Sequence, residues 1–482
     1  MSATIPHWLS KQAELAPDQI AVELPDGLSI TFSELKNKSQ SYAKKLVSLG
    51  VEKGSHIGLL SENSIQMIIS IHALSYIGAV GVLLNTRLTV DELNYQLNDA
   101  NVSILLTSAT QQHRSDELKV EKAVELTEVE KYGETATSLA EEIQLDDLFT
   151  IMYTSGTTGF PKGVLHSYGN HWWSAIGSAL NLGVEKQDKW LAALPLFHVS
   201  GFSILIRSVV YGMPVFLLKK FHSQTVNEAI RKKGITIVSV VTVMLQQLIV
   251  ELGEETYPDS FRCMLLGGGP APEAILLSAK EKQIPVFQSF GMTETASQIV
   301  TLSEKDALQK IGSAGKPLSP AQLKINQPDS EGVGEIFVKG PMVTAGYFQN
   351  EEATSKAIQH GWLATGDLGY IDNEGFLYVV ERRTDLIISG GENIYPSEIE
   401  SVLASLDGVK EVGVTGRPDP KWGNKPVAFL VVEKNITVET IEHYAKQKLA
   451  AYKVPAEFYL LSELPRNASN KLQRNKLLEL LN

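Results

Sequence analysis

In the first hundred residues, short apolar runs alternate with helical stretches that carry their own start signals. Thr31 with Glu34, and Thr89 with Glu92, have the spacing at which a hydroxyl and a carboxylate satisfy each other's backbone N–H groups at a helix start. The first pair opens a helical stretch that ends at Gly50; a stretch of amphipathic spacing over 64–76 is stopped by Gly78. Strand-like runs lie between them at 56–60, 80–84 and 102–106. Strands separated by helices pair in parallel through crossovers. This part of the chain is therefore expected to form an α/β sheet covered on both faces.

Residues 106–145 are polar, Glu-rich and weakly patterned, and read as a surface excursion. Strand-like runs resume at 148–153, 190–194, 214–218, 235–241, 264–266 and 285–288. After residue 310 the pattern turns to hairpins, with Asp372, Asn373, Glu374 and Gly375 supplying a turn between two apolar alternations. The last hundred residues hold strands at 409–415 and 427–432 and helices at 397–404 and 438–450, enough for a small α+β domain. A length of 482 residues accommodates two to four such units.

The net charge of −12 lacks the basic excess that drives nucleic-acid binding. The single cysteine, Cys263, excludes an internal disulfide and a cysteine zinc cage. No run of about 20 apolar residues is present, so no membrane span is expected. The N-terminus lacks a basic region followed by an apolar core, which makes a reducing cytoplasm the expected compartment.

The densest motif is Tyr153-Thr154-Ser155-Gly156-Thr157-Thr158-Gly159-Phe160-Pro161-Lys162-Gly163, placed straight after an apolar strand. Its glycines and hydroxyls allow backbone N–H and side-chain O–H groups to converge on a small anion, and Lys162 adds positive charge for phosphate oxygens. A flexible polar loop is the alternative. The P-loop of NTPases is excluded, because Lys162 is preceded by Pro161 and followed by Gly163.

This loop closely resembles the phosphate-binding motif of the adenylate-forming superfamily, which comprises acyl-CoA synthetases, peptide-synthetase adenylation domains and luciferases. The likeness spans nearly the whole chain, in the family's order. Gly267-Gly268-Gly269-Pro270 resembles its platform beside adenine and the acyl group. Gln288-Ser289-Phe290-Gly291-Met292-Thr293-Glu294-Thr295 resembles its aromatic-Gly-x-Thr-Glu motif. Thr365-Gly366-Asp367 resembles the ribose motif, and Glu381 to Asp385 with Ser389 to Ile394 the hinge region. Pro465 to Lys471 resembles the C-terminal lysine motif. The fold implied is a large α/β N-terminal domain, residues 1–383, made of parallel-sheet layers plus a small β-barrel-like part. A hinge near Thr384 and a small α+β lid, residues 385–482, follow.

The activity implied is ATP-dependent formation of an acyl-adenylate with loss of pyrophosphate, then displacement of AMP by a thiol, with ATP, Mg²⁺ and CoA as cofactor and co-substrates. An anion must approach a polyanion, so positive charge near the α-phosphate matters most. By resemblance Lys471 supplies it, reaching the site only during adenylation. Glu294 is the implied Mg²⁺ ligand, since a hard cation prefers carboxylate oxygen. Thr293 is assigned to the α-phosphate, and Asp367 and Arg382 to the ribose. Thr154, Ser155, Gly156, Thr157, Thr158, Gly159, Lys162, Gly268, Gly269, Pro270, Ser289, Phe290 and Gly291 complete the nucleotide set. Phe290 stands where many members have Tyr, keeping an aromatic face for adenine without the hydroxyl. Thr384 stands where many have Asp or Lys, a change a hinge tolerates.

His198, in the run Leu194 to Gly201, is expected to gate or order the carboxylate; a core histidine is the alternative. Arg207 lies in an apolar stretch, where a charge is costly unless paired. It binds either a second carboxylate of the substrate, as a bidentate fork, or an internal Asp or Glu. Ser200, Thr242, Gly267, Gly268, Ser289 and Gln298 are further acyl-pocket candidates. The wording of several motifs is similar to the branch of the superfamily that activates the aromatic dicarboxylate o-succinylbenzoate in menaquinone biosynthesis. For CoA the resemblance points to Arg87, Gly390, Gly391, Trp422, Tyr452 and Lys453. Another acid, or a stand-alone adenylation enzyme loading a carrier-protein thiol, is the rival reading, and self-association is left open.

Overall fold

The computed structural model describes residues 3–481 apart from 155–160, 270, 304, 308, 382–385, 434–435 and 467–471. Both predicted capping boxes form, at the starts of helices Phe32–Ser48 and Val90–Asp99. The helices cover a six-stranded sheet in the order Lys162–Ser167, Leu148–Thr154, Val80–Leu83, His56–Leu60, Ile104–Thr107, Lys122–Glu125. It is parallel except at its Lys162–Ser167 edge, which returns antiparallel along Leu148–Thr154.

Two expectations for this part need correction. Helix Ile65–Ile77 is not amphipathic: ten of its thirteen residues, Met67 to Tyr76, are buried. It is wedged between helix Phe32–Ser48 and the sheet, so no face is left for water. Residues 106–145 are not only a surface excursion. They contribute edge strand Lys122–Glu125, and Val124, Leu126 and Val129 enter the core. The segment's few apolar residues were too sparse to register as a pattern.

A nine-stranded second sheet follows the order Lys316–Pro317, Ser297–Thr301, Val286–Met292, Cys263–Gly267, Ile237–Val241, Trp190–Ala192, Val215–Leu217, Ile20–Glu23, Ser29–Thr31. Its central strands are parallel and buried except at their C-terminal ends, as their near-continuous apolar runs require. The barrel-like part is a five-stranded antiparallel sheet built on Gly334–Lys339 and Trp362–Ile371, and it includes the predicted hairpin to Leu377–Glu381. The C-terminal region has its own five-stranded sheet and its own apolar cluster, with helices Pro396–Ala404 and Val438–Lys448. Among the described residues no helix is long and apolar enough to cross a membrane.

Candidate active site

The C-terminal ends of the second sheet's strands open on a cavity of about 150 Å³. It is bordered by His198, Ser200, Arg207, Gly267, Gly268, Ser289, Gly291, Thr293 and Gln298, so predicted residues from four separate motifs meet here. A glycine is required at 291: a Cβ would lie 2.1 Å from the Ser297 carbonyl oxygen across a strand irregularity at Phe290/Gly291. Ala296 and Ser297 hold positive φ, 52° and 124°, a strained turn that puts the Ser297 hydroxyl on the cavity wall.

Arg207 is 1% exposed, on helix Val199–Tyr211. Its Nη2 donates to Ser297 Oγ at 3.3 Å, and its guanidinium lies 5.0 Å from the Trp190 ring centre. Trp190 is itself fixed by donating Nε1–H to Ser239 Oγ at 3.0 Å. Arg207 Nε has no hydrogen-bond partner, and among the described residues no carboxylate pairs with Arg207. Burial holds its pKa below the ordinary arginine value. The internal Asp or Glu allowed by the sequence is therefore not found; an aromatic face and a hydroxyl hold the cation where a ligand can meet it.

His198 and Thr293 border this cavity and a second one of about 110 Å³, which Thr154, Tyr452 and Lys453 also line. His198 is not a core histidine. Its Nε2 stands 3.2 Å from Glu392 Oε2, and Arg87 Nη1 stands 3.1 Å from Glu392 Oε1. Burial by itself would raise the Glu392 pKa; His198, Arg87 and Lys453 outweigh it and hold the carboxyl below its usual range. Lys453 is buried between Glu92, at 2.7 Å, and Glu398, at 2.6 Å. Burial alone would lower the lysine's pKa, but the two carboxylates raise it. Glu392 and Lys453 belong to the C-terminal region and Arg87, Glu92 and His198 to the N-terminal one, so these ion pairs fasten the two together.

A third cavity, of about 740 Å³, opens between the same regions and is bordered by Thr242, Gly268, Gly269, Gly391 and Trp422. Thr242 thus faces this space and not the cavity of Arg207. Of the residues expected to hold CoA, Gly391 and Trp422 border this space, Gly391 also borders the second cavity with Tyr452 and Lys453, and Arg87 is turned to Glu392. Gly390 and Gly391 have φ of 59° and 89°. A Cβ on Gly390 would come within 2.8 Å of the Trp422 ring, so the pair permits close approach of this loop.

Glu294 is buried, and Tyr347 Oη donates to its Oε1 at 2.9 Å. Lys162 Nζ lies 5.3 Å from the centre of the same tyrosine ring. Phe290 is 2% exposed and packs in the core of the antiparallel sheet, bordering with Gly269 and Ser289 a small cavity of about 70 Å³. Asp367 is buried on strand Trp362–Ile371. His166 and His171 are buried, bonded to the Thr293 carbonyl and the Thr150 hydroxyl. Ser155, Gly156, Thr157, Thr158, Gly159, Pro270, Arg382, Thr384 and Lys471 lie outside the described residues.

Sequence reasoning missed Trp190, Ser297, Tyr347, Glu392 and the pairing role of Glu92. In the sequence Glu92 is accounted for by its capping box, and Glu392 is one residue within the hinge-region motif. Nothing in the sequence marks Trp190, Ser297 or Tyr347, whose roles depend on partners 17 to 185 positions away in the chain.

A glycine-lined cavity at strand ends, a Thr-Glu turn and a glycine loop from a second region are the parts of an acid-activating enzyme. The family model for AMP-binding enzymes matches residues 9–348 and that for the AMP-binding enzyme C-terminal domain matches residues 398–471. The chain belongs to the AMP-binding enzyme family and has the adenylate-forming fold. It is 55% identical to the 2-succinylbenzoate–CoA ligase of Oceanobacillus iheyensis, over 99% of this chain and 100% of that protein. It is 51% identical to the enzyme of the same name from Bacillus cereus, over 100% and 99%. Among solved structures, a double mutant of the Bacillus subtilis o-succinylbenzoate CoA synthetase bound with its product analogue gives a TM-score of 0.94 at 46% identity, covering 99% of both chains. The same Bacillus subtilis enzyme in complex with its acyl-adenylate intermediate gives 0.76 at 47% identity, covering 98% of both. At nearly equal sequence identity, the chain superposes more closely on the product-analogue complex than on the acyl-adenylate complex.

Proposed function

We propose that this chain is an AMP-forming acid–thiol ligase that converts o-succinylbenzoate, ATP and CoA to o-succinylbenzoyl-CoA, AMP and pyrophosphate in menaquinone biosynthesis. In the first half-reaction a carboxylate oxygen bonds to the α-phosphorus and pyrophosphate leaves. In the second, the CoA sulfur bonds to the acyl carbon and AMP leaves. The observation that carries the substrate reading is Arg207, a buried guanidinium on the cavity wall with no carboxylate partner among the described residues. A dicarboxylic acid supplies the missing anion with one group while the other is activated.

The remaining assignments follow the resemblance. The hydroxyl-rich turn with Thr154 and Lys162 takes the phosphates, Asp367 and Arg382 the ribose, and Lys471 brings its ammonium to the α-phosphate. Among the described residues no group of three or more His, Cys, Asp and Glu side chains is placed to hold a metal ion. A magnesium ion here fits a site that combines Glu294 with nucleotide oxygens, and a single carboxylate next to the Thr293 hydroxyl is that kind of hard donor set. When bound, the ion offsets charge on the phosphates. Residues 1–383 and 385–482 act as domain and lid about Thr384, and His198, freed from or paired with Glu392, borders the acyl group in either arrangement. The wide space beside Gly391 and Trp422 is the entry for the pantetheine arm.

The test is AMP release with ATP and CoA over a panel of carboxylic acids. o-Succinylbenzoate is expected to be turned over at least 100-fold more efficiently than benzoate-type monoacids. Turnover of monoacids without turnover of o-succinylbenzoate overturns the assignment.

A further inference from the structure

Tyr347 belongs to none of the motifs that drew attention in the sequence, yet two of the groups assigned to the triphosphate converge on it. Its hydroxyl donates to Glu294 Oε1 at 2.9 Å, and Lys162 Nζ stands 5.3 Å from its ring centre. Lys162 opens the edge strand Lys162–Ser167, and Glu294 sits in the turn Thr293–Thr295. One tyrosine therefore touches both walls.

The backbone around it is fixed independently of any ligand. Val164 and Tyr347 form an antiparallel bridge. Leu165 N–H donates to the Gly346 carbonyl at 3.1 Å, and Phe348 N–H to the Gly163 carbonyl at 2.8 Å. Tyr347 N–H donates to the Thr354 hydroxyl at 3.0 Å, and Thr344 N–H to the Glu294 carbonyl at 2.8 Å. Gly346 has φ of 147°, and a Cβ there would lie 2.5 Å from the Thr354 methyl. The segment is thus stitched to both the strand of Lys162 and the turn of Glu294.

We infer that Tyr347 is a positioning residue for metal-bound ATP: its hydroxyl sets the direction of the Glu294 carboxylate, and its ring face holds the Lys162 ammonium. The inference rests on the assignment of Glu294 to the metal. A phenol suits the task. It orients a carboxylate through a neutral hydrogen bond, whereas a lysine or arginine in its place would cancel the charge the metal needs. The aromatic face attracts an ammonium without withdrawing its donors from phosphate oxygens.

The experiment titrates Mn²⁺ into the full-length protein with a non-hydrolysable methylene analogue of ATP, following free Mn²⁺ by electron paramagnetic resonance. Tyr347→Phe keeps the ring and is expected to weaken Mn²⁺ binding about 10-fold, the usual effect of losing a partner of a metal ligand. It is expected to leave thioester formation from supplied acyl-adenylate unchanged, which a general structural defect would not. Tyr347→Leu is expected to raise the KM for ATP about threefold further, through loss of the ring. Mn²⁺ affinity of Tyr347→Phe within twofold of the parent overturns the inference. If the parent itself takes up no Mn²⁺ with the nucleotide, the assignment of Glu294 fails first and the inference falls with it.

Discussion

Replacing Arg207 by methionine separates a substrate-binding arginine from a structural one, because the two predict opposite changes in stability. The guanidinium is 1% exposed, donates one 3.3 Å hydrogen bond to Ser297 and rests 5.0 Å from the Trp190 ring. Burying a cation without a counter-charge costs several kcal/mol, and an aromatic face returns about 2 kcal/mol. The free protein therefore carries a net cost that methionine, similar in length and apolar, removes. With about 380 residues unfolding together the unfolding entropy is about 0.8 kcal/mol/K, so each kcal/mol relieved raises the midpoint by about 1 °C. Binding changes the other way. A bidentate carboxylate gains two charge-assisted hydrogen bonds of about 1.5 kcal/mol or more each, and losing about 3 kcal/mol raises the KM for o-succinylbenzoate by about 150-fold. The KM for ATP should move less than about threefold. Steady-state kinetics and differential scanning calorimetry on Arg207→Met supply both numbers. A midpoint several degrees lower, with the KM for o-succinylbenzoate unchanged, refutes the reasoning and makes Arg207 a framework residue.

Glu92→Gln keeps the capping box, which glutamine also completes, but removes one of the two charges on Lys453. Glu398 remains, so the loss is limited to about 1 kcal/mol. The expected result is a roughly fivefold slower attack of CoA on supplied acyl-adenylate with an unchanged rate of adenylate formation; equal slowing of both steps counts against a lid-fastening role. Gly291→Ala is expected to abolish activity, because its methyl group collides with backbone 2.1 Å away; near-normal turnover would show that the strand can shift. Burial lowers the pKa of His7 to about 3 and of His72 and His166 to about 4, and that of His171 well below the ordinary value. Each contribution is fully present above about pH 6.5, where the unfolded imidazoles are neutral, and is lost as pH falls toward about 4. Each group then costs about 1.4 kcal/mol per pH unit within that window. The calorimetric midpoint should fall steadily from pH 6.5 to pH 4.5, and a flat profile would contradict neutral buried histidines.

The alternation of helices and strands was legible because it is written locally: capping boxes, glycine stops and apolar runs each need only neighbours within a few residues. Strand Lys122–Glu125 was not, since its pairing with Ile104–Thr107 supplies an order that its own residues do not encode. The spacing that marks helix Ile65–Ile77 implies an exposed face that the helix lacks, because spacing reports where apolar residues recur and not whether a second layer covers the rest. At the site, Arg207 stood out as a charge in an apolar stretch, and its cost was visible before any partner was. What holds it was invisible, since Trp190 and Ser297 reach it from distant strands. Lys453 was legible only as a candidate for CoA, since its partners Glu92 and Glu398 lie 361 and 55 positions away in the chain.

The central claim, activation of o-succinylbenzoate as its adenylate, is tested most directly by exchange of labelled pyrophosphate into ATP with CoA left out. The account predicts rapid exchange that depends on o-succinylbenzoate and is not supported by benzoate. No exchange with o-succinylbenzoate, or equal exchange with the monoacid, would contradict it.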